Sequence, residues 1–280
     1  MSRNLRVALI QAAWTGDRQS MLDKHEKHMR DAASEDANIV CLQEVFDGPF
    51  FPQVNEPGFY DWSEAVPHGS TVTRFAALAR ELQVVLVCPV FESTDVVGEY
   101  YNTAAVIDAD GSFVGSYRKN HIPNLPGFWE KYYFRSGNLG YPVFDTTVGK
   151  VGVYICYDRH FPEGWRELGL GGAEIVFNPS ATSRSLSSHL WQLEQPAAAV
   201  ANGYFVAAIN RVGVEPYGDN DFYGMSYVCD PSGRIVGGTA TDQEECLVRE
   251  IDLDLVRETR HTWQFYRDRR PETYARTARH

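Results

Sequence analysis

Cys156 is the residue whose position most clearly suggests chemistry. It follows the apolar run of residues 151–155 and precedes Tyr157 and a helical pattern. A strand, a tight turn and a helix in this order would place the thiol near a helix N-terminus, which favours the thiolate that attacks carbonyl carbon. The backbone N–H of Tyr157 could bind the oxyanion that develops in such an attack. The alternative is a buried structural cysteine, as we expect for Cys41 and Cys88.

Glu44 and Lys119 occupy similar positions at the ends of predicted strands. Glu44 follows the run of residues 39–42, and Lys119 follows residues 115–118. α/β folds build their sites from polar groups at one edge of a sheet. We therefore expect Glu44 to serve as general base to Cys156 and Lys119 to hold the oxyanion. Taken alone, either charge is more typical of a solvated surface residue.

The elements that must position these residues alternate along the chain. Strands are predicted at residues 5–10, 37–42, 84–91, 101–107, 115–119, 142–144, 151–155, 174–177, 204–209, 225–229 and 246–251. Helices are predicted at residues 17–35, 70–82, 162–169 and 185–202. Hairpins occur beside crossovers and no linker divides the chain. This pattern indicates one α/β domain over residues 1–280, with a mixed sheet or a sandwich of sheets covered by helices.

Composition excludes several classes of protein. The 280 residues are 44% hydrophobic, which is ample for a packed core, and the formal net charge is −11. Such a surface repels phosphate backbones, so we expect no nucleic-acid partner. The longest apolar run, residues 84–91, is too short to span a bilayer, and no secretory signal is recognisable at the start. The sequence therefore predicts a cytoplasmic protein without a membrane partner.

Cysteine usage agrees with a reducing compartment. The chain has five widely spaced cysteines and no C-x-x-C pair. A disulfide framework or a zinc site is not expected from such spacing. No P-loop or dinucleotide fingerprint occurs, so we predict neither a cofactor nor a metal. His25 and His28, three residues apart on the predicted helix 17–35, are interpreted as part of a solvated helix face.

Four segments together resemble the Glu, Lys and Cys signatures of the nitrilase (carbon–nitrogen hydrolase) superfamily, in the same order. They are residues 42–46, 117–123, 153–158 and 178–181. The resemblance implies an αββα sandwich that pairs into αββα–αββα dimers or larger homo-oligomers. It also implies that Cys156, Glu44 and Lys119 are catalytic and that the cysteine forms an acyl-enzyme. The second glutamate of the family corresponds to Glu130, which would orient the lysine and assist proton transfers.

Within this superfamily the chain is most similar to the β-ureidopropionase subgroup, which hydrolyses N-carbamoyl-β-alanine to β-alanine, ammonia and carbon dioxide. Arg159 carries the specificity argument. Carbamoylases that act on carbamoyl amino acids have an arginine at this place. Its planar guanidinium can form two hydrogen bonds with the carboxylate of a small anionic carbamoyl amino acid. The alternative is an internal ion pair of Arg159 with Asp158 or Glu163. Arg184 is a second candidate for binding the substrate carboxylate.

Other functions remain compatible with these residues. The chain could hydrolyse another carbamoyl or amide substrate, such as an N-carbamoyl-α-amino acid, N-carbamoylputrescine or a simple amide. It could transfer the acyl group to an amine instead of water. It could also be a non-catalytic interaction protein on the same fold.

The C-terminal residues 262–280 form an arginine-rich tail with interleaved aromatic side chains. These are Trp263, Phe265, Tyr266 and Tyr274. We expect the tail to pack on a neighbouring subunit and to support oligomerisation, rather than to bind nucleic acid.

Overall fold

The computed structural model describes residues 3–277, except for the side chains of residues 185 and 186. The strands are β1 (Asn4–Gln11), β2 (Ile39–Leu42), β3 (Val85–Ser93), β4 (Tyr100–Ile107), β5 (Phe113–Arg118), β6 (Val143–Thr146), β7 (Gly149–Val153), β8 (Ile175–Pro179), β9 (Phe205–Ile209), β10 (Val212–Val214), β11 (Asp221–Tyr223), β12 (Tyr227–Cys229) and β13 (Glu245–Asp252). The α-helices are α1 (Arg18–Ser34), α2 (Ser70–Leu82), α3 (Glu130–Tyr133), α4 (Pro162–Leu170), α5 (Arg184–Asn202) and α6 (Asp254–Thr262).

The strands form two mixed sheets and a short ribbon. One sheet has the order β13-β1-β2-β3-β4-β5, the other has the order β12-β9-β8-β7-β6, and β10 pairs with β11. The neighbours β1, β2 and β3 are parallel, as are β7, β8 and β9. The remaining pairs in the two sheets are antiparallel, including the predicted hairpin of β4 and β5.

Side-chain alternation along β1 shows how the layers are built. Val7 and Leu9 point into the core between the two sheets, whereas Ala8 and Ile10 point into the core under α1 and α2. Helices α4 and α5 cover the outer face of the second sheet. Burying each large aliphatic side chain stabilises the fold by about 1.5–3 kcal/mol. The result is a four-layer αββα sandwich, which confirms the predicted fold class.

The structure differs from the sequence-based prediction near both ends of the chain. His25 is fully buried against Phe46, with ring centroids 4.9 Å apart, so the prediction of a solvated helix face was wrong for this residue. Burial lowers the pKa of His25 to about 3 and keeps it neutral in the core. Helix α6 was not predicted, because its exposed face is polar and only Val256 is buried.

Tyr266 anchors the tail beyond α6 to its own chain. The Tyr266 hydroxyl donates to the carbonyl of Asn202, at 2.6 Å. Trp263, Phe265 and Tyr274 are exposed. Residues 278–280 of the predicted tail lie outside the described residues.

The five cysteines are free thiols. Within residues 3–277, none of the helices has the length and apolar character needed to cross a membrane.

Candidate active site

Lys119 lies between two carboxylates at the edge of the first sheet. Its Nζ is 2.8 Å from Oε1 of Glu44, which follows β2, and 2.6 Å from Oε2 of Glu130, which begins α3. All three side chains are fully buried. Although burial opposes the charged form, Glu130 and Glu44 raise the pKa of Lys119 above its ordinary value. The lysine therefore remains a fixed cation in the site.

Glu130 is a carboxyl group that readily retains a proton. Burial raises its pKa well above the usual range and Glu44 adds to the effect, while Lys119 opposes it. Its Oε1 has no hydrogen-bond partner within the described part of the chain, and the residue lines a cavity that also contains Cys156. Glu130 can therefore offer a hydrogen-bonding oxygen or a proton to a molecule in that cavity.

Glu44 is held by three donors that leave one acceptor position. Oε1 accepts from Lys119 and, at 2.7 Å, from the side-chain amide of Asn102 on β4. Oε2 accepts from the backbone N–H of Ala181, at 2.8 Å. Because each carboxylate oxygen has two lone pairs, Oε2 keeps one that no described residue uses. The sequence analysis missed Asn102, although a polar residue within an apolar strand was a usable signal.

Cys156 lies on a sharp turn between β7 and α4. Its φ of 48° is in the left-handed region, which a residue with a side chain adopts only when its surroundings hold it there. Asp158, fully buried, accepts from the backbone N–H of Ile155 at 3.1 Å and from the hydroxyl of Tyr117 at 2.7 Å. The carboxylate of Asp158 therefore ties the turn to strand β5. This geometry presents the thiol to the cavity.

The resting state of Cys156 is a neutral thiol, contrary to the expectation of a stabilised thiolate. Burial raises its pKa to about 12 and Glu44 contributes, whereas Lys119 and Arg159 only partly offset them. The helical segment that begins at Cys156 is a 3₁₀ helix of 5 residues, too short to supply the expected dipole, and α4 begins only at Pro162. The thiol must therefore lose its proton as it attacks. The backbone of Ala181 contacts both the thiol and the carboxylate of Glu44, because its carbonyl oxygen lies 3.9 Å from Sγ and its N–H binds Glu44.

Arg159 is buried beside the nucleophile rather than paired with Asp158 or Glu163. Its Nη1 donates to the carbonyl of Cys156 at 3.0 Å and lies 3.9 Å from Sγ. Its Nη2 donates to the hydroxyls of Thr182 and Ser187, at 3.2 and 2.9 Å. A guanidinium in this position can bind an anionic group of a molecule that Cys156 attacks.

The cavity around Cys156 has a volume of about 230 Å³ and mixes polar and apolar walls. It is lined by Pro123, Leu125, Phe128, Glu130, Cys156, Tyr157, Arg159, His160, Thr182, Ser187 and Leu190. A second cavity of about 640 Å³ shares Arg159 and His160 with it and is otherwise lined by α4, α5 and the tail. Cys156 and Glu130 line the smaller cavity and not the second one, so the smaller one is the candidate reaction site.

Arg184, the second predicted carboxylate ligand, lies apart from this group. Its side chain is half exposed, and its Nε donates to Asp221 at 2.8 Å.

Glu194, which the sequence analysis did not consider, lies nearer the site. One of its oxygens is 3.5 Å from Nε of Arg159, and the other is 2.8 Å from Nδ1 of His160. Among the described residues, no group of three or more His, Cys, Asp or Glu side chains is arranged to hold a metal ion.

The sequence model of a family described as carbon-nitrogen hydrolase matches residues 6–261. The chain belongs to the carbon–nitrogen hydrolase family. This carbon–nitrogen hydrolase is 38% identical to an N-carbamoylputrescine amidase of Solanum lycopersicum, over 98% of the chain and 94% of the relative. It is also 38% identical to a beta-ureidopropionase of Arabidopsis thaliana, over 98% of the chain and 72% of the relative. A solved carbon-nitrogen hydrolase from Helicobacter pylori G27 superposes with a TM-score of 0.91, at 37% identity and 97% coverage of both chains.

The family and the geometry agree on the class of reaction. A carbon–nitrogen hydrolase with such relatives is a hydrolase that acts on amides. The site offers a thiol, a carboxylate with a free acceptor position, a fixed ammonium and a carboxyl group that retains a proton. Such groups can support cleavage of an amide C–N bond through a covalent intermediate.

Proposed function

We propose that this hydrolase cleaves the ureido C–N bond of a small N-carbamoyl amino acid, with N-carbamoyl-β-alanine as the best candidate. The observation that carries the proposal is the buried Arg159 guanidinium, whose Nη1 lies 3.9 Å from Sγ of Cys156 in one cavity. A substrate carboxylate bound there would hold the ureido group close to the thiol. A short spacer between carboxylate and ureido group fits this small separation.

In the first half of the proposed reaction, Sγ of Cys156 attacks the ureido carbon while Glu44 takes the thiol proton. Lys119 and the N–H of Tyr157 stabilise the negative charge on the carbonyl oxygen. The carbon–nitrogen bond to the terminal NH₂ then breaks, and the proton held by Glu44 leaves with that nitrogen as ammonia. A carbamoyl thioester on Cys156 remains.

In the second half, water replaces ammonia. Glu44 takes a proton from the water as it attacks the thioester carbon, and Lys119 again stabilises the oxyanion. The C–S bond breaks and the proton returns to Cys156. The released carbamate loses carbon dioxide and gives the free amino acid. Glu130 orients Lys119 throughout and assists the proton transfers.

N-carbamoylputrescine is a second candidate, because a relative at 38% identity carries that name. Glu194 also favours it, since its carboxylate is close enough to the cavity to attract a cationic tail. The two candidate substrates differ in the charge of the tail and in its length, because four methylene groups precede the ammonium of N-carbamoylputrescine and two precede the carboxylate of N-carbamoyl-β-alanine. Nη1 of Arg159 lies 3.9 Å from Sγ and Arg159 lines the cavity, whereas Glu194 does not line it. We therefore favour the anionic substrate.

The experiment is a measurement of ammonia release from four compounds that differ in the charge and length of the tail. These are N-carbamoyl-β-alanine, N-carbamoylglycine, N-carbamoylputrescine and neutral N-propylurea. We expect kcat/KM to be at least about 10-fold higher for an anionic compound than for the neutral one, since charged hydrogen bonds contribute about 1.5–3 kcal/mol. Preference for N-carbamoylputrescine would replace the first candidate with the second. No release above the level of the Cys156→Ala variant from any compound would favour a non-catalytic protein.

We also propose that the protein forms a homodimer or larger homo-oligomer through α4 and α5. Leu193 and Val200 on α5 and Leu170 at the end of α4 are exposed. Leu193 and Val200 are two helical turns apart and share one face of α5, and exposed apolar side chains on one face are typical of subunit contacts.

A further inference from the structure

The backbone that carries Glu44 is strained at the next residue. Val45 has a φ of 47°, in the left-handed region. A β-branched residue is a clear outlier there, because its side chain collides with the adjacent peptide groups. Such a conformation persists only where neighbouring groups determine it. The loop from Glu44 to Gly48 must therefore be held by contacts outside itself.

Arg211, between β9 and β10, supplies those contacts. Its Nη2 donates to the carbonyls of Val45 at 2.8 Å and of Glu44 at 3.3 Å. Both terminal nitrogens also donate to the carbonyl of Gly48, at 3.0 Å. The guanidinium is fully buried. Three carbonyls of one strained loop therefore converge on one rigid, planar donor group.

Glu215 completes the arrangement from the other side of the loop. Its carboxylate pairs with Nη1 of Arg211 and accepts from the backbone N–H of Phe50. Burying such a pair gains little net stability, because the cost of desolvating the two charges offsets their attraction. The pair is therefore better explained by the geometry it imposes on the segment from Glu44 to Phe50.

Asn210, next to Arg211, holds the backbone segment that binds the carboxylate of Glu44. Asn210 accepts from the N–H of Thr182 at 2.9 Å and donates to its carbonyl at 3.1 Å. Thr182 follows Ala181, whose own N–H binds Oε2 of Glu44. Two consecutive side chains therefore fix both the loop that carries the carboxylate and the backbone that binds it.

We propose that Arg211, paired with Glu215, is a positioning residue that aims the carboxylate of Glu44 at the thiol of Cys156. Its terminal nitrogens bind backbone carbonyls and Glu215, so it acts through the loop and not on the reacting atoms. This inference rests on the proposed role of Glu44 and adds the group that determines the orientation of that carboxylate. Displacing a catalytic group by about 1 Å can cost on the order of 100-fold in rate.

The test is a double variant, Arg211→Met with Glu215→Gln. It removes both buried charges, so neither partner is left unpaired, and it keeps an acceptor for the N–H of Phe50. Arg211→Lys keeps the charge but cannot bind three carbonyls in one plane. Arg260→Met is the matched control, because Arg260 donates to a partly buried carbonyl, that of Ala173, far from the site. Glu44→Gln serves as the reference for loss of the carboxylate.

We expect kcat per folded molecule to fall about 10–100-fold in the double variant, with KM within about 3-fold of the wild type. The kcat of Arg211→Lys should lie between those of the wild type and the double variant. Arg260→Met should change only the melting temperature. A kcat within about 3-fold of the wild type in the folded double variant would overturn the inference. If the double variant does not fold, an unchanged kcat in Arg211→Lys has the same consequence. An active Glu44→Gln variant would instead contradict the proposed function.

Discussion

Nη1 of Arg159 lies 3.9 Å from Sγ of Cys156, although the chain as a whole carries a net charge of −11. The global charge opposes an anionic substrate, but exposed charges are largely screened beyond about 8 Å at physiological salt. A buried guanidinium beside the reacting atom is screened much less. Recognition of an anion by this protein would therefore depend on one local group and little on its overall field.

Replacing Arg159 tests that dependence. In Arg159→Met we expect KM for N-carbamoyl-β-alanine to rise about 10–100-fold, because a charged hydrogen bond contributes about 1.5–3 kcal/mol. KM for neutral N-propylurea should change only a few-fold. Arg159→Lys should raise KM for N-carbamoyl-β-alanine less than Arg159→Met does, since lysine keeps the positive charge but cannot form two parallel hydrogen bonds with the carboxylate. Equal changes for both substrates would show that Arg159 supports the turn at Cys156 and does not bind the carboxylate.

The neutral state of the Cys156 thiol predicts how stability depends on pH. Its pKa is about 12 in the folded protein against an ordinary value of 9.0, so the folded state binds this proton more tightly. The contribution to stability is complete below pH 9 and is lost as pH rises toward 12. Between pH 7.5 and 10, wild type should lose about 1 kcal/mol more unfolding free energy than Cys156→Ser. Urea unfolding at the two pH values measures this difference. Equal losses of unfolding free energy in the two proteins would show that the thiol pKa lies near its ordinary value.

The unpartnered Oε1 of Glu130 predicts a separate catalytic effect. Glu130→Gln keeps the shape of a neutral carboxyl group and an oxygen for Lys119, so the variant should fold with a similar melting temperature. It cannot exchange protons, and we expect kcat for ammonia release to fall about 100-fold or more with little change in KM. Retention of kcat would limit Glu130 to orienting the lysine.

The positions of Glu44, Lys119 and Cys156 in the fold could be predicted because each depends on local pattern. Each residue follows a predicted strand, and polar residues at strand ends of an α/β fold gather at sheet edges. Glu130 lacked such a signal and was indicated only by the family resemblance, since α3 is a single turn.

The contacts that complete the site depend on distant parts of the chain. Asn102 and Ala181 are 58 and 137 positions from Glu44, and neither separation has a periodic signature. Arg184 was expected to be a second ligand of the substrate carboxylate, whereas its orientation in the structure depends on Asp221, 37 positions away. Local sequence patterns carry no information about such pairings.

The C-terminal tail gives a prediction about assembly. Trp263 stacks on Phe265 with ring centroids 5.6 Å apart, and both remain exposed, while Tyr266 anchors the segment to its own chain. Exposed aromatic pairs are enriched at subunit interfaces. Deleting residues 262–280 should therefore lower the oligomer mass measured by light scattering. Trp263→Ser with Phe265→Ser should do the same while keeping the Tyr266 anchor. Val97→Ser, at an exposed apolar residue between β3 and β4, is the control for a general change in surface polarity. An unchanged oligomer mass in both tail variants would show that the tail stabilises its own subunit and does not support oligomerisation.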